Sequence, residues 1–233
     1  TSVGAREHVV CSDGAREGIY AIVPLDINDR VELAPPAPVG AREVIREFDN
    51  DQDLLSDKEE LIYGSNPMVM DTDQDGYSDG QEVLNLYSPA RGTSMNLVQD
   101  RQFGWWKNID YNYAILIPQI NTPVVLDSAR DIILKASDTE AILVSVQDNP
   151  DNKSIGDWLK QLSPEIDLFG FDQFNTRFNQ FSALGKKDGS TYYVQIPGNP
   201  YIYIFSYTAK EKYSYLTTFR AIVESIKKIE DTN

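Results

Sequence analysis

The chain has 233 residues, 36 of them acidic and 21 basic, for a formal net charge of −15. That balance argues against nucleic acid as the main partner, because phosphate backbones are held by Lys and Arg. A hydrophobic fraction of 41%, with 11% aromatic residues, is enough for a packed core.

No apolar run approaches the roughly 20 residues of a membrane span. Nothing near residue 1 has the basic and apolar pattern of a secretory signal, so an exported form is expected to be the mature chain. One cysteine, Cys11, excludes an internal disulfide and a Cys-rich zinc site. One histidine, His8, leaves any Ser-His-Asp or Cys-His scheme dependent on an irregular N-terminal stretch.

In chain order, Gly-Ala-Arg-Glu occurs at 4–7, 14–17 and 40–43, at spacings too irregular for a solenoid. Ile19–Val23 reads as a short strand. Ala34-Pro35-Pro36-Ala37-Pro38 favours a stiff extended linker, because proline fixes φ and removes donors. Residues 1–38 are therefore expected to be an extension, followed by a module over 39–100 and a domain over 101–233.

The charge is concentrated in two windows. Residues 49–60 and 71–82 hold 11 of the 36 acidic residues and only one basic residue, Lys58. In the second window Asp71, Asp73, Asp75 and Asp79 occupy positions 1, 3, 5 and 9 of a twelve-residue loop. Tyr77 offers its carbonyl at position 7, Glu82 stands at position 12, and Gly76 takes position 6, where such a loop turns sharply. The first window repeats the pattern 22 residues earlier with Asp49, Asp51, Asp53, Leu55 (carbonyl), Asp57 and Glu60, but Leu54 replaces the turn glycine. Alternating carboxylates converge on one hard cation, and a flexible cage of oxygens suits calcium better than magnesium, which retains water. Two calcium ions are expected. Each loop runs into a short helix with a capping pattern, Ser56 to Glu59 and Ser78 to Gln81, and Gly64 and Pro67 end the first helix. No full helix precedes either loop, which disfavours a paired helix-loop-helix sensor.

Beyond Gln102 the chain becomes aromatic and β-branched. Tyr111–Ile117, Ile132–Leu134 and Ala141–Val146 read as strands. Ile155, Trp158, Leu159 and Leu162 form a helical stripe capped by Ser154 and Asp157. Asp188-Gly189 marks a hairpin between Phe178–Leu184 and Thr191–Ile196. Tyr201, Tyr203, Phe205 and Tyr207 then share one strand face, Ile202 and Ile204 the other. Leu216, Phe219, Ile222, Val223 and Ile226 stripe a terminal helix. The expected fold class is α+β: an antiparallel sheet with flanking amphipathic helices, preceded by a small calcium-loop module.

Asp49–Glu82, with its Asp-x-Asp-x-Asp loops separated by Gly64-Ser65-Asn66-Pro67, resembles the bacterial version of thrombospondin type 3 calcium repeats over about 35 of the 233 residues. The resemblance implies an exported or cell-surface protein in which calcium rigidifies a spacer beside another domain. Residues 105–230 resemble the PsbP-like α/β sandwich in element order, from Trp105-Trp106-Lys107 through the Trp158 helix to the Tyr-rich strand and terminal helix. That resemblance implies a binding or assembly module and no reaction.

The leading expectation is a non-enzymatic extracellular or cell-envelope protein, with a protein partner or its own subunits as partners and no transmembrane segment. Two alternatives stand beside it. One is a subunit of an extracellular polymer joined by the Ile19–Val23 strand. The other is a hydrolase using carboxylates alone, with Asp157, Glu165, Asp167 and Asp172 as candidates.

Overall fold

The computed structural model describes residues 45–91, 95–119, 123–126 and 129–229. The expected Ile19–Val23 strand and the Pro-rich linker lie outside these residues. By its contacts the chain divides into residues 1–42 and 43–233, and the second unit is the one described below.

Two short helices come first, α1 (Asp57–Tyr63) and α2 (Asp79–Leu84). Ser56 Oγ accepts from Glu59 N–H while the Glu59 carboxylate accepts from Ser56 N–H, which completes the capping box of α1. Gly64 ends this helix in the left-handed conformation at φ 76°, where an L side chain would be strained. Ser78 caps α2 by accepting from Gln81 N–H at 3.4 Å.

The strands follow, in two antiparallel sheets. The first is three-stranded, built from β1 (Phe103–Asn108), β2 (Tyr113–Pro118) and β10 (Lys227–Lys228), with β2 in the centre. The second is seven-stranded, built from β3 (Pro123–Val125), β4 (Asp131–Lys135), β5 (Glu140–Asp148), β6 (Phe171–Asn175), β7 (Ser182–Lys186), β8 (Thr191–Gln195) and β9 (Tyr201–Ala209). Its order is β3-β4-β5-β9-β8-β7-β6, with Val144 opposite Phe205 at its centre. The Asp188-Gly189 hairpin forms between β7 and β8, with Gly189 at φ 75°. The helix expected after Ser154 is α3 (Ile155–Leu162), and the terminal helix is α4 (Leu216–Glu224).

The expected stripes pack in layers. Tyr203, Phe205 and Tyr207 of β9 are buried against Leu216, Phe219, Ile222 and Val223 of α4 and against Tyr113, Ile115 and Ile117 of β2. On the opposite face of the large sheet, Ile202 and Tyr193 meet Ile155, Trp158 and Leu159 of α3. The aromatic face of β9 is therefore core, and it presents no open platform of stacked rings. Among the described residues no helix is long and apolar enough to cross a membrane.

A third apolar cluster bears directly on the boundary expected near residue 100. Leu55, Tyr63, Val83 and Leu86 from the two-loop region bury themselves with Phe103, Leu116 and Ala221 of the sandwich. The Tyr63 and Phe103 rings stack at 5.3 Å. All six residues of β2 are buried for this reason: Ile115 and Ile117 serve the main core, whereas Leu116 faces the two-loop region. Residues 49–86 thus form an outer layer continuous with the sandwich, because the loop region has too few apolar side chains to close a core of its own.

Removing the α1 side of this layer should destabilise the sandwich itself. Tyr63→Ala is expected to lower unfolding free energy by about 3 kcal/mol or more. The check is guanidinium unfolding followed by tryptophan fluorescence, since Trp105, Trp106 and Trp158 all lie in the sandwich. An unchanged midpoint would mean that the two parts unfold independently.

Candidate metal centre

The two acidic loops share a left-handed backbone at two equivalent positions. At the fourth position Gln52 and Gln74 take φ 62° and 64°, and at the sixth Leu54 and Gly76 take φ 82° and 98°. Both are left-handed, so the sixth position does require the conformation that glycine adopts freely and leucine resists. The first aspartate of each loop ties the turn together. Asp49 accepts from Asp53 N–H at 3.2 Å and Leu54 N–H at 3.0 Å. Asp71 accepts from Asp75 N–H at 3.2 Å and Gly76 N–H at 2.9 Å. The aspartate at the fifth position accepts from a following amide in each case, Asp53 from Leu55 N–H at 2.7 Å and Asp75 from Tyr77 N–H at 3.0 Å.

The ninth positions are occupied differently from the converging carboxylates. Both oxygens of Asp57 accept from Asn50, by its N–H at 3.0 Å and its side-chain amide at 2.5 Å. Both oxygens of Asp79 accept from Thr72, by its N–H at 2.8 Å and its hydroxyl at 2.6 Å. These two aspartates clamp the second position to the ninth and close each loop onto the start of its helix. The signal for that clamp lies in Asn50 and Thr72, which sit between the acidic residues and both carry hydrogen-bonding side chains.

The remaining carboxylates converge. Oxygens of Asp49, Asp51 and Asp53 lie within 4.8 Å of one another, as do those of Asp71, Asp73 and Asp75. Both oxygens of Asp51, one oxygen of Asp73, and Oε2 of Glu60 and of Glu82 are buried without a hydrogen-bond partner. These are the third and twelfth positions of both loops. Glu60 is fully buried and Glu82 is 5% exposed. An uncompensated buried carboxylate is expensive, and the one basic residue in the two windows, Lys58, is spent on Glu47 at 2.7 Å. The donor set is all oxygen, acidic and gathered at two points, which fits a hard divalent cation at each loop.

The electrostatics record the same conflict. Burial, reinforced by Asp51, Asp53 and Asp79, pushes the Glu60 carboxyl up to about 8. Burial also pushes Glu82 up to about 8, with Asp73, Asp75, Asp79 and Asp71 adding to the shift. Asp53 rises to about 6 through burial, opposed by the Leu55 and Gly80 amides. Asp51 and Asp79 rise as well, burial being the main cause in both.

The loops also touch each other. Gly80 N–H donates to Asp53 Oδ2 at 2.7 Å, and a Cβ built on Gly80 would lie 2.2 Å from the Asp53 carbonyl oxygen. This glycine is required by close approach of two backbones rather than by a turn. The seventh-position residues part company: the Leu55 side chain is fully buried in the shared cluster, whereas Tyr77 is largely exposed. Among the residues weighed for carboxylate hydrolysis, Asp157 is held by its cap bonds with Ser154 and Asp167 caps a 3-10 turn through Phe169 N–H at 2.9 Å.

Three outcomes are expected. Leu54→Gly should stabilise the calcium-free protein by about 1 kcal/mol, since it removes the left-handed strain at a mostly exposed side chain. Gly80→Ala should destabilise by about 1–3 kcal/mol, as the loops are forced apart; both are read from denaturant midpoints. For pH, Glu60 and Glu82 bind protons more tightly folded than unfolded. In chelator, stability is therefore expected to fall as pH rises from about 4.5 to about 8 and to level off above. Thermal melts across this range check the sign, and a flat profile would contradict the buried carboxylates.

Among solved structures, the solution structure of cyanobacterial PsbP (CyanoP) from Synechocystis sp. PCC 6803 is similar at 13% identity, covering 59% of this chain and 98% of that one, with a TM-score of 0.38. No curated protein matches the sequence. The profile of the family described as Bacterial TSP3 repeat matches residues 49–69 and 71–85, the two loops and their helices.

Proposed function

We propose that the chain is a non-enzymatic, calcium-binding protein of the cell exterior or envelope, in which two calcium ions turn the two-loop region into a rigid element beside an α+β interaction domain. The observation that carries this reading is the set of buried, unpartnered carboxylate oxygens at Asp51, Glu60, Asp73 and Glu82. Asp49, Asp51, Asp53, the Leu55 carbonyl and Glu60 hold the first ion. Asp71, Asp73, Asp75, the Tyr77 carbonyl and Glu82 hold the second. Asp57 and Asp79 act one step removed, since their hydrogen bonds to Asn50 and Thr72 keep the loops closed. When bound, calcium supplies positive charge and no chemistry. Two ions would move the formal charge from −15 to −11, with all of the change concentrated in the two loops.

The exterior location is supported by the loops themselves. Millimolar external calcium fills even weak sites, whereas cytosolic calcium fills only tight ones. A site whose turn residue is a left-handed leucine belongs with the weak ones. The sandwich is then the surface offered to a protein partner or to further copies of the chain.

Calorimetry on chelated protein is expected to give two ions per chain. Asp73→Ala combined with Asp75→Ala should reduce this to one and open the segment around Pro67 to limited proteolysis. Zero stoichiometry would end the calcium reading. Two bound ions with identical protease patterns in calcium and in chelator would end the rigid-element reading alone.

A further inference from the structure

Resting on the calcium reading above, we infer that the first loop serves as the N-terminal cap of the sandwich's last helix, so that filling this loop, and not the second, orders the first turn of α4. The N-terminus of α4 lacks the usual local devices. Its N-cap residue, Tyr215, makes no side-chain cap bond, and its first turn holds no acidic residue. The free N–H groups and the positive end of the helix dipole must therefore be met from elsewhere.

One of these N–H groups, and both threonine hydroxyls of the first turn, are met from residues 54–63. Glu59 Oε1 accepts from Thr218 N–H at 2.5 Å. The Leu54 carbonyl accepts from Thr217 Oγ1 at 2.5 Å, and Tyr63 OH lies 3.3 Å from Thr218 Oγ1. Just before the helix, Ser56 Oγ donates to the Ser214 carbonyl at 2.6 Å. Glu59 is the hinge pin of this arrangement. Its Oε2 accepts from Ser56 N–H at 3.0 Å to cap α1, while its Oε1 caps α4, so one buried carboxylate caps two helices.

Glu59 is the chain neighbour of Glu60, the twelfth position of the first loop, and Leu54 is the sixth. Whatever holds Glu60 and the turn at Leu54 therefore also holds the α4 cap. Without a cation, repulsion among Asp49, Asp51, Asp53 and Glu60 acts on the atoms that carry Glu59 and the Leu54 carbonyl. Of the two acidic segments, the first supplies the polar contacts to the first turn of α4, whereas α2 of the second packs along α4 through the shared apolar cluster. Just before the helix, the large sheet holds the chain: Glu140 accepts from Ser214 N–H and Tyr207 OH accepts from Tyr215 N–H.

The test is amide hydrogen exchange on the full chain, in calcium and in chelator, with calorimetry on the same samples. Calcium is expected to slow exchange at Thr217–Arg220 by about tenfold, the size of a lost cap. Asp49→Ala with Asp51→Ala should abolish that gain, and Asp73→Ala with Asp75→Ala should keep it. Thr217→Val leaves every carboxylate in place and should cut the gain by about threefold or more; it decides the matter if the first double variant does not fold. Two bound ions with no change at α4 would overturn the inference while leaving the calcium reading intact. Equal loss in both double variants would also overturn it, because the coupling would then not belong to the first loop. Absence of bound calcium would sink both.

Discussion

Carboxylates that are buried together must be neutralised, and much of the architecture of residues 45–91 follows from that constraint. Glu60 and Glu82 have been carried out of water by their helices, and Asp51 and Asp73 face them from the loops, yet no lysine or arginine of the same segment comes to meet them. Protons meet the need in acid and divalent cations above it. With no cation bound, such a loop is expected to lose stability as pH rises through the raised carboxyl range.

The second consequence is mechanical. A region that gathers acidic side chains at two points has been packed against one that has a large core of its own. Leu55 and Tyr63 supply apolar contact, Ser56 and Glu59 supply hydrogen bonds, and the sandwich answers with Phe103, Leu116, Ser214 and the first turn of α4. Glu59 is buried with its carboxyl pushed up to about 7 by desolvation, against the pull of the Thr218 and Ser56 amides. The acidic loops are therefore a buttress on the sandwich. The Asp53–Gly80 contact extends the same logic between the loops, because each loop partly supports the other.

Much of the site was legible before any coordinates. Alternating aspartates at fixed spacing, a glutamate at the twelfth position and serine caps are local patterns, and local geometry realises them: the capping box at Ser56, the Gly64 stop and the left-handed sixth position all appear. The strands and stripes of 113–118, 131–135, 140–148, 155–162, 191–195, 201–209 and 216–224 were legible for the same reason, since period and turn chemistry act over a few residues.

What only the tertiary structure decided are the relations between segments distant in sequence. Local spacing assigns Glu59 to the α1 cap and Glu60 to its own loop, yet Glu59 also crosses 159 positions to Thr218. Gly80 looks like an ordinary first-turn glycine until the Asp53 carbonyl is placed against it. The division near residue 100 follows composition, which changes there, but apolar burial pools side chains wherever they can be covered, and Leu55, Val83 and Leu116 share one cluster. Sequence by itself determined that Asp49, Asp51 and Asp53, and Asp71, Asp73 and Asp75, gather within each loop, because their spacing lies within one turn of chain. The fold decided which distant segments those loops pack against and cap, because burial and helix capping are satisfied by whichever chain segment is nearest in space.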